Sequence, residues 1–336
     1  MMPLMVAGLM WGLVLVLSLR ARRRLDNTML IAAIVIAASM TTNVPSVYLW
    51  AASWLPWPNA LDLVANGLLI VGVYYLSSAI RRGATAASMN RGGGASWTQA
   101  AAISTVVAMM GTFAFIDNPE PSTNFMLSYG NQPAAAAYSI VQYAYIFSVM
   151  LGTLTTCVRN VPHMMQSRFK TGFSLIGVGC SAAMLLCLSV VAMDLSNVLG
   201  ATILMRGLGG IYDYLYLVTM AFLCVGLSIP PLSRAISSLQ LRRKVLAVEP
   251  EVRRIWNMTV AKNPSVSLVG TNLPGTPVVR KLGTAIATDG MHRMLVEIHD
   301  YLNIEDATTE RLSSDDWRKL DEAEALCLQR RGAIGG

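Results

Sequence analysis

The feature that most constrains this chain is a series of seven apolar segments, each near the length of a bilayer crossing. A hydrocarbon core of about 30 Å takes about 20 apolar residues in an α-helix. Residues 3–19, 28–50, 60–80, 99–116, 134–157, 171–193 and 210–229 meet that requirement, some with polar interruptions. A further apolar stretch, 195–205, is short; it either extends the sixth helix or lies at the membrane interface. The first segment starts at Met1 with no basic run before it and no small-residue cleavage pattern after it. It reads as a retained helix, not a cleaved signal.

Charge divides the chain in two. Only 13% of the 336 residues are charged, about half the share usual in a soluble domain. Before Leu232 there are 11 Lys/Arg and 6 Asp/Glu; from Leu232 onward there are 15 and 13. The expected architecture is all-α: a polytopic membrane domain of about seven transmembrane helices over 1–231, and a small helical cytoplasmic domain over 232–336. Pro230-Pro231 supplies a natural stop for the seventh helix.

Basic residues set the expected sidedness. Arg20, Arg22, Arg23 and Arg24 follow the first segment, Arg81, Arg82 and Arg91 the third, and Arg159, Arg168 and Lys170 the fifth. The loops on the other side hold Arg206 alone. The ten basic residues mark the cytoplasm, which puts the N-terminus outside and the tail inside a plasma membrane. Trp50, Trp54 and Trp57 then fall at the outer interface, where an aromatic belt belongs. The net charge of +7 is accounted for by this topology, so nucleic acid is not an expected partner; the lipid bilayer is. The outer loop 117–133 is long enough to form a small cap. No internal repeat of the inverted-repeat transporter kind is found.

Ionisable residues within membrane segments are costly and usually functional. Asp62 and Asp213 are the candidates, and Asn66 lies one turn from Asp62 on the same face. Asn43, beside Pro45, falls in the outer third of the second segment. All four lie near the outer surface and suggest a polar vestibule; helix capping and packing hydrogen bonds are the structural alternative. The deepest strongly polar side chain is Gln142, with Tyr138, Tyr143 and Tyr145 nearby. No helix centre carries a charge, which argues against ion-coupled transport.

The tail offers no catalytic signature. The stretch from Gly270 to Gly275 has Walker-like glycine spacing but lacks the phosphate-binding lysine, and reads as a turn. His292, His299 and Asp300 have no further ligand in view for zinc. The five cysteines form no CxxC pair, so neither a metal nor any other cofactor is expected. Residues 232–248 and 251–261 look helical. So does 284–303, where Met291, Met294, Leu295, Ile298 and Leu302 make one apolar face. Ser313 or Ser314 caps a last helix, with Asp315 and Asp316 in its first turn. Arg242, Arg243, Lys244, Arg253 and Arg254 lie just beyond the membrane, where anionic lipid headgroups would attract them; a solvated helix face is the plain alternative.

Several of these segments together resemble a known family. They are Asn43-Val-Pro45-Ser-Val-Tyr48 with Pro58-Asn59-Ala-Leu, and the Ala- and Tyr-rich run 134–145. With them go Leu241-Arg-Arg-Lys-Val-Leu with Arg253-Arg-Ile-Trp256, the stretch Met291-His-Arg-Met-Leu-Val-Glu297-Ile-His-Asp300, and the Ala-rich closing helix. They look like an actinobacterial (or actinophage) family of seven-helix membrane proteins of unknown function, loosely labelled transporters, with an uncharacterised cytoplasmic helical domain. The fourth segment resembles an Arg-x-Val-Ile-Glu-Ile-Arg-Asp pattern, with His299 where that pattern has Arg. The resemblance implies matching positions for Glu297 and Asp300, with salt bridging inside the tail, and brings no catalytic or substrate residues. The expected function is that of a non-enzymatic sensor or regulatory protein, relaying an external or membrane signal to a cytoplasmic protein through 232–336. Transport of a small or apolar solute is the alternative, and a phage-encoded exclusion protein a third.

Overall fold

The computed structural model describes residues 2–21, 27–54, 57, 59–88, 95–117, 119–123, 125–164, 167–259, 284–304 and 312–334. Arg22, Arg23, Arg24, Arg91 and the Walker-like loop around Gly270 lie outside the described residues. The described chain is helical, without a strand. It comprises α1 Met2–Ala21, α2 Thr28–Thr42, α3 Pro45–Ala52, α4 Ala60–Ser88, α5 Ala95–Phe113, α6 Phe125–Tyr129, α7 Pro133–Asn160, a 3-10 turn Val161–His163, α8 Ser167–Val198, α9 Thr202–Thr259, α10 Thr284–Ile304 and α11 Ser314–Ile334.

Four helices are long and apolar enough to cross a membrane: α4, α7, α8 and α9. A fifth crossing results if α2 and α3 count as one broken span. Two more segments, Met2–Ser18 in α1 and Thr98–Phe113 in α5, are apolar but shorter. The difference from seven comes partly from residues 28–50, expected as one helix and bent by 83°. The cause is Pro45. Its ring removes the N–H that would bond Thr41, and it forces the preceding residue out of the helical region. Val44 accordingly takes ψ 122°, and Pro45 opens α3 at its first turn.

Two more boundaries differ from expectation. The stretch 195–205 divides between two helices, its first residues extending the sixth segment. α8 ends at Val198, Gly200 turns the chain with φ +73°, and α9 begins at Thr202. Nor does α9 stop at Pro230-Pro231; it runs on, and through Pro250, to Thr259. A proline inside a helix removes one hydrogen bond and need not end it where neighbouring helices hold the backbone. Here α8 does so. A Cβ at Gly172 would lie 3.3 Å from the Pro230 ring and 3.2 Å from the Gly226 carbonyl oxygen, which Pro230 deprives of a donor.

The chain forms two compact units, Met1–Ser233 and Arg234–Gly336. In the first, α2 packs on α1 and α4, and α7 packs on α4, α5 and α8. Close approach relies on small residues, as in other membrane bundles: Gly72 faces Ile36, and a Cβ at Gly226 would lie 2.9 Å from the Ile176 nitrogen. Large apolar side chains such as Leu15, Ile103, Val107, Leu185, Leu188 and Val225 remain exposed. On this many helices at once, such a surface suits lipid and not water.

The second unit is a three-helix core. Val245, Val248, Val252 and Ile255 of α9 meet Met291, Leu295 and Ile298 of α10 and Leu320, Ala323 and Leu326 of α11. Ser313 is the N-cap of α11. Its hydroxyl accepts from the Asp316 N–H at 3.1 Å, and its own N–H donates to Asp316 Oδ2 at 3.1 Å. This is a capping box with Asp in the third position.

Candidate functional site

The polar residues of the membrane unit gather where α4 and α7 start. These helices run parallel with a constant offset of 76 residues, seen in the pairs Asp62–Tyr138, Asn66–Gln142 and Ser77–Thr153. Asn66 holds the centre. Its Nδ2 donates to Asp62 Oδ2 and to the Tyr138 hydroxyl, each at 2.9 Å. Its Oδ1 accepts from Gln142 Nε2 at 3.0 Å, and the Tyr138 hydroxyl donates to Asp62 Oδ2 at 3.1 Å. An amide serves here because it supplies two donors and an acceptor at once.

Above this clasp lies the predicted cap. Asn59, buried and left-handed at φ 59°, donates to the Glu120 carbonyl at 2.8 Å and accepts from Ser122 N–H and the Tyr48 hydroxyl. Asparagine tolerates that backbone region better than most residues. Tyr129 donates to the Glu120 carbonyl at 2.6 Å, and the Gln132 amide bonds both backbone groups of Asp117. Phe113, Phe125 and Tyr138 cluster nearby with ring centres 5.7–6.1 Å apart, Phe113 and Phe125 stacked and Tyr138 inclined to both.

Of the four residues expected to form a vestibule, the fold joins two. Asp62 and Asn66 share the clasp. Asn43 follows the last turn of α2 and Asp213 sits on α9; both are exposed, and no hydrogen bond among the described residues ties either to the clasp. Gln142 and Tyr138 belong to the site as partners and are buried. The clasp contains one carboxylate and no base–nucleophile pair, and its chemistry is to lock α4 to α7.

Two features were not read from the sequence. Asp194 is buried in α8, near Ser139 of α7, with an oxygen that makes no hydrogen bond. Ending the sixth segment at residue 193 hid it, although an acid in an otherwise apolar stretch was the signal. The second is an apolar cavity of about 80 Å³, lined by α1, α2, α4, α7, α8 and α9. Met10, Ile36, Val73, Met150 and Leu223 are among its walls. Thr219 also lines it, with a buried hydroxyl that lacks a partner. Apolar cavities of this kind can accept apolar molecules.

In the second unit, the residues proposed for lipid contact divide. Arg242, Arg243 and Lys244 are exposed. Arg253 pairs with Glu249 at 2.6 Å, while Arg254 pairs with Glu251 at 3.1 Å and with Asp316. The last two arginines thus also make ion pairs within the tail, with their side chains still partly exposed. Glu297 accepts from Trp256 Nε1 at 2.7 Å and pairs with Arg293 at 3.0 Å. Its neighbour Asp300 lines a groove with His292, His299 and Glu324. Among the described residues no His, Cys, Asp and Glu group could hold a metal ion. Comparison with protein families, with characterised proteins and with solved structures finds no match.

Proposed function

We propose that this chain is a non-enzymatic membrane sensor that binds a small apolar molecule within its helical bundle and signals through its tail. One observation carries the reading. A single helix, α9, lines the cavity with Tyr216, Thr219, Met220, Leu223, Cys224 and Leu227, and supplies Val245, Val248, Val252 and Ile255 to the tail core. A change of packing around the cavity therefore acts on the helix that nucleates the tail. The cavity's volume, against about 30 Å³ per liquid water molecule, suits a compound of a few heavy atoms or the end of an acyl chain.

In this reading α1, the broken α2–α3 pair and α5 complete seven crossings, with the N-terminus outside and the tail cytoplasmic, as the basic loops favour. Arg242, Arg243 and Lys244 contact lipid headgroups, and a cytoplasmic protein reads the tail.

The test fills the cavity. Ala183 is a buried wall residue, and Ala183→Leu mimics occupancy. In nanodiscs the variant should change amide exchange across α10 and α11 severalfold. Identical tail exchange would reject the relay. Passage of a small apolar solute is the second reading, favoured by the same cavity; solute flux in proteoliposomes that Ala183→Leu abolishes would establish it.

A further inference from the structure

We infer that the cavity takes a small neutral molecule bearing one acceptor oxygen, a short ketone or aldehyde, with the Thr219 hydroxyl as its anchor. The inference rests on the reading of that cavity as the sensing site and names the chemistry of its occupant. A threonine inside a helix often donates to the carbonyl four residues back. In this bundle Thr105, Thr153, Thr155 and Thr156 do so, at 2.8–2.9 Å. Thr219 does not bond the Leu215 carbonyl in this way. Its Oγ1 is buried with no hydrogen-bond partner among the described residues, and the residue is 3% exposed. Thr219 also lies on the cavity wall.

A hydroxyl buried without a hydrogen bond is unfavourable, because it has given up water and gained nothing. An occupant of the cavity can supply the missing partner. Three side chains that border the cavity carry hydroxyls: Tyr143, Tyr216 and Thr219. Tyr216 is already engaged, donating to Met40 Sδ at 2.7 Å. The rest of the wall is aliphatic or sulfur-bearing, and no charged side chain is among the described residues there. Water suits such a wall poorly, since it needs two to four polar partners.

The wall defines the class of occupant. A charged ligand would be desolvated against apolar side chains, at a cost that one hydroxyl does not offset. The Thr219 proton lacks an acceptor, so the ligand's oxygen has to accept. A carbonyl oxygen does that and adds no donor of its own. An alcohol or amine brings a further O–H or N–H, which the apolar wall leaves unbonded. Threonine divides between two rotamers in helices, so the hydroxyl can turn to an occupant without movement of the backbone. Volume sets the size. A cavity of about 150 Å³ holds benzene, so one of about 80 Å³ takes roughly three to five heavy atoms; butanone is such a molecule.

The test uses the full chain in nanodiscs, with isotope-labelled methionine methyl groups read by NMR. Met10, Met150 and Met220 line the cavity, so their resonances report its occupancy. They are titrated with butanone and with the isosteric alkene, in which a methylene group replaces the carbonyl oxygen. Wild type should bind both probes and Ala183→Leu neither. Thr219→Val should weaken the ketone roughly two- to tenfold, the scale of one hydrogen bond, and leave the alkene unchanged. Thr219→Ser and Tyr143→Phe should keep the wild-type affinity for the ketone. Equal ketone affinity in wild type and Thr219→Val, or its loss in Tyr143→Phe alone, overturns the inference and leaves the cavity a binding site. If wild type binds neither probe, or Ala183→Leu binds both equally well, the sensing reading falls and the inference with it. Without ligand, Thr219→Val should melt no earlier than wild type, because the hydroxyl it removes bonds nothing. An earlier melt would show that hydroxyl already bonded, and would also overturn the inference.

Discussion

At the scale of single residues, Asn66 shows how a membrane bundle is specified. It alone touches Asp62, Tyr138 and Gln142. Asn66→Ala leaves buried partners without their bonds, so thermal stability in detergent should fall by about 1 kcal/mol, the usual scale of an interhelical hydrogen bond in a membrane. In the second unit, Asp316 is a residue whose charge state matters. The Ser313 hydroxyl hydrogen bond, then the Ser313 N–H and Arg254, hold its carboxyl below the usual range. A depressed carboxylate stabilises the fold above its unfolded pKa of about 4, and that contribution disappears as pH falls through the lower, folded value. The tail's calorimetric transition should therefore drop in temperature below about pH 4, and Asp316→Ala should flatten that dependence.

At the scale of elements, prolines and glycines act through their neighbours. Pro45 breaks the second segment, whereas Pro230 and Pro231 do not break α9. The residue type is the same; the surroundings differ. Pro230 rests against Gly172, and Gly226 fits against Ile176 without a side chain between them. Gly226→Val would place a Cβ 2.8 Å from Ile176 Cγ1. Overpacking of this kind costs about 1–3 kcal/mol, so the variant should melt earlier while Gly209→Val, with open space around it, should not. Size-exclusion and thermal scans of both variants in detergent make the comparison.

At the scale of the whole molecule, the two units have separate cores. Ile255 is fully buried in the tail core. Ile255→Ala should lower tail stability by about 2–5 kcal/mol. Calorimetry should show the tail transition moving while the membrane unit's stays in place; a common shift would mean that the units unfold together.

The sequence by itself determined the all-helical class, the apolar segments, the charge-rich tail, its amphipathic α10 face and the cap on α11. These are local or periodic properties, written in hydropathy, charge and short-range capping. Asp62 and Asn66 were legible as one site because four residues put them on one helix face. Tertiary structure alone decided what meets across helices. Nothing in the linear pattern aligned Tyr138 and Gln142 with Asp62 and Asn66, separated Asp213 and Asn43 from them, or opposed Ser139 to Asp194. Nor did it distinguish a proline that bends a helix from one that is carried through. In each case the deciding term is a contact between residues tens of positions apart, whose partner groups no local pattern encodes.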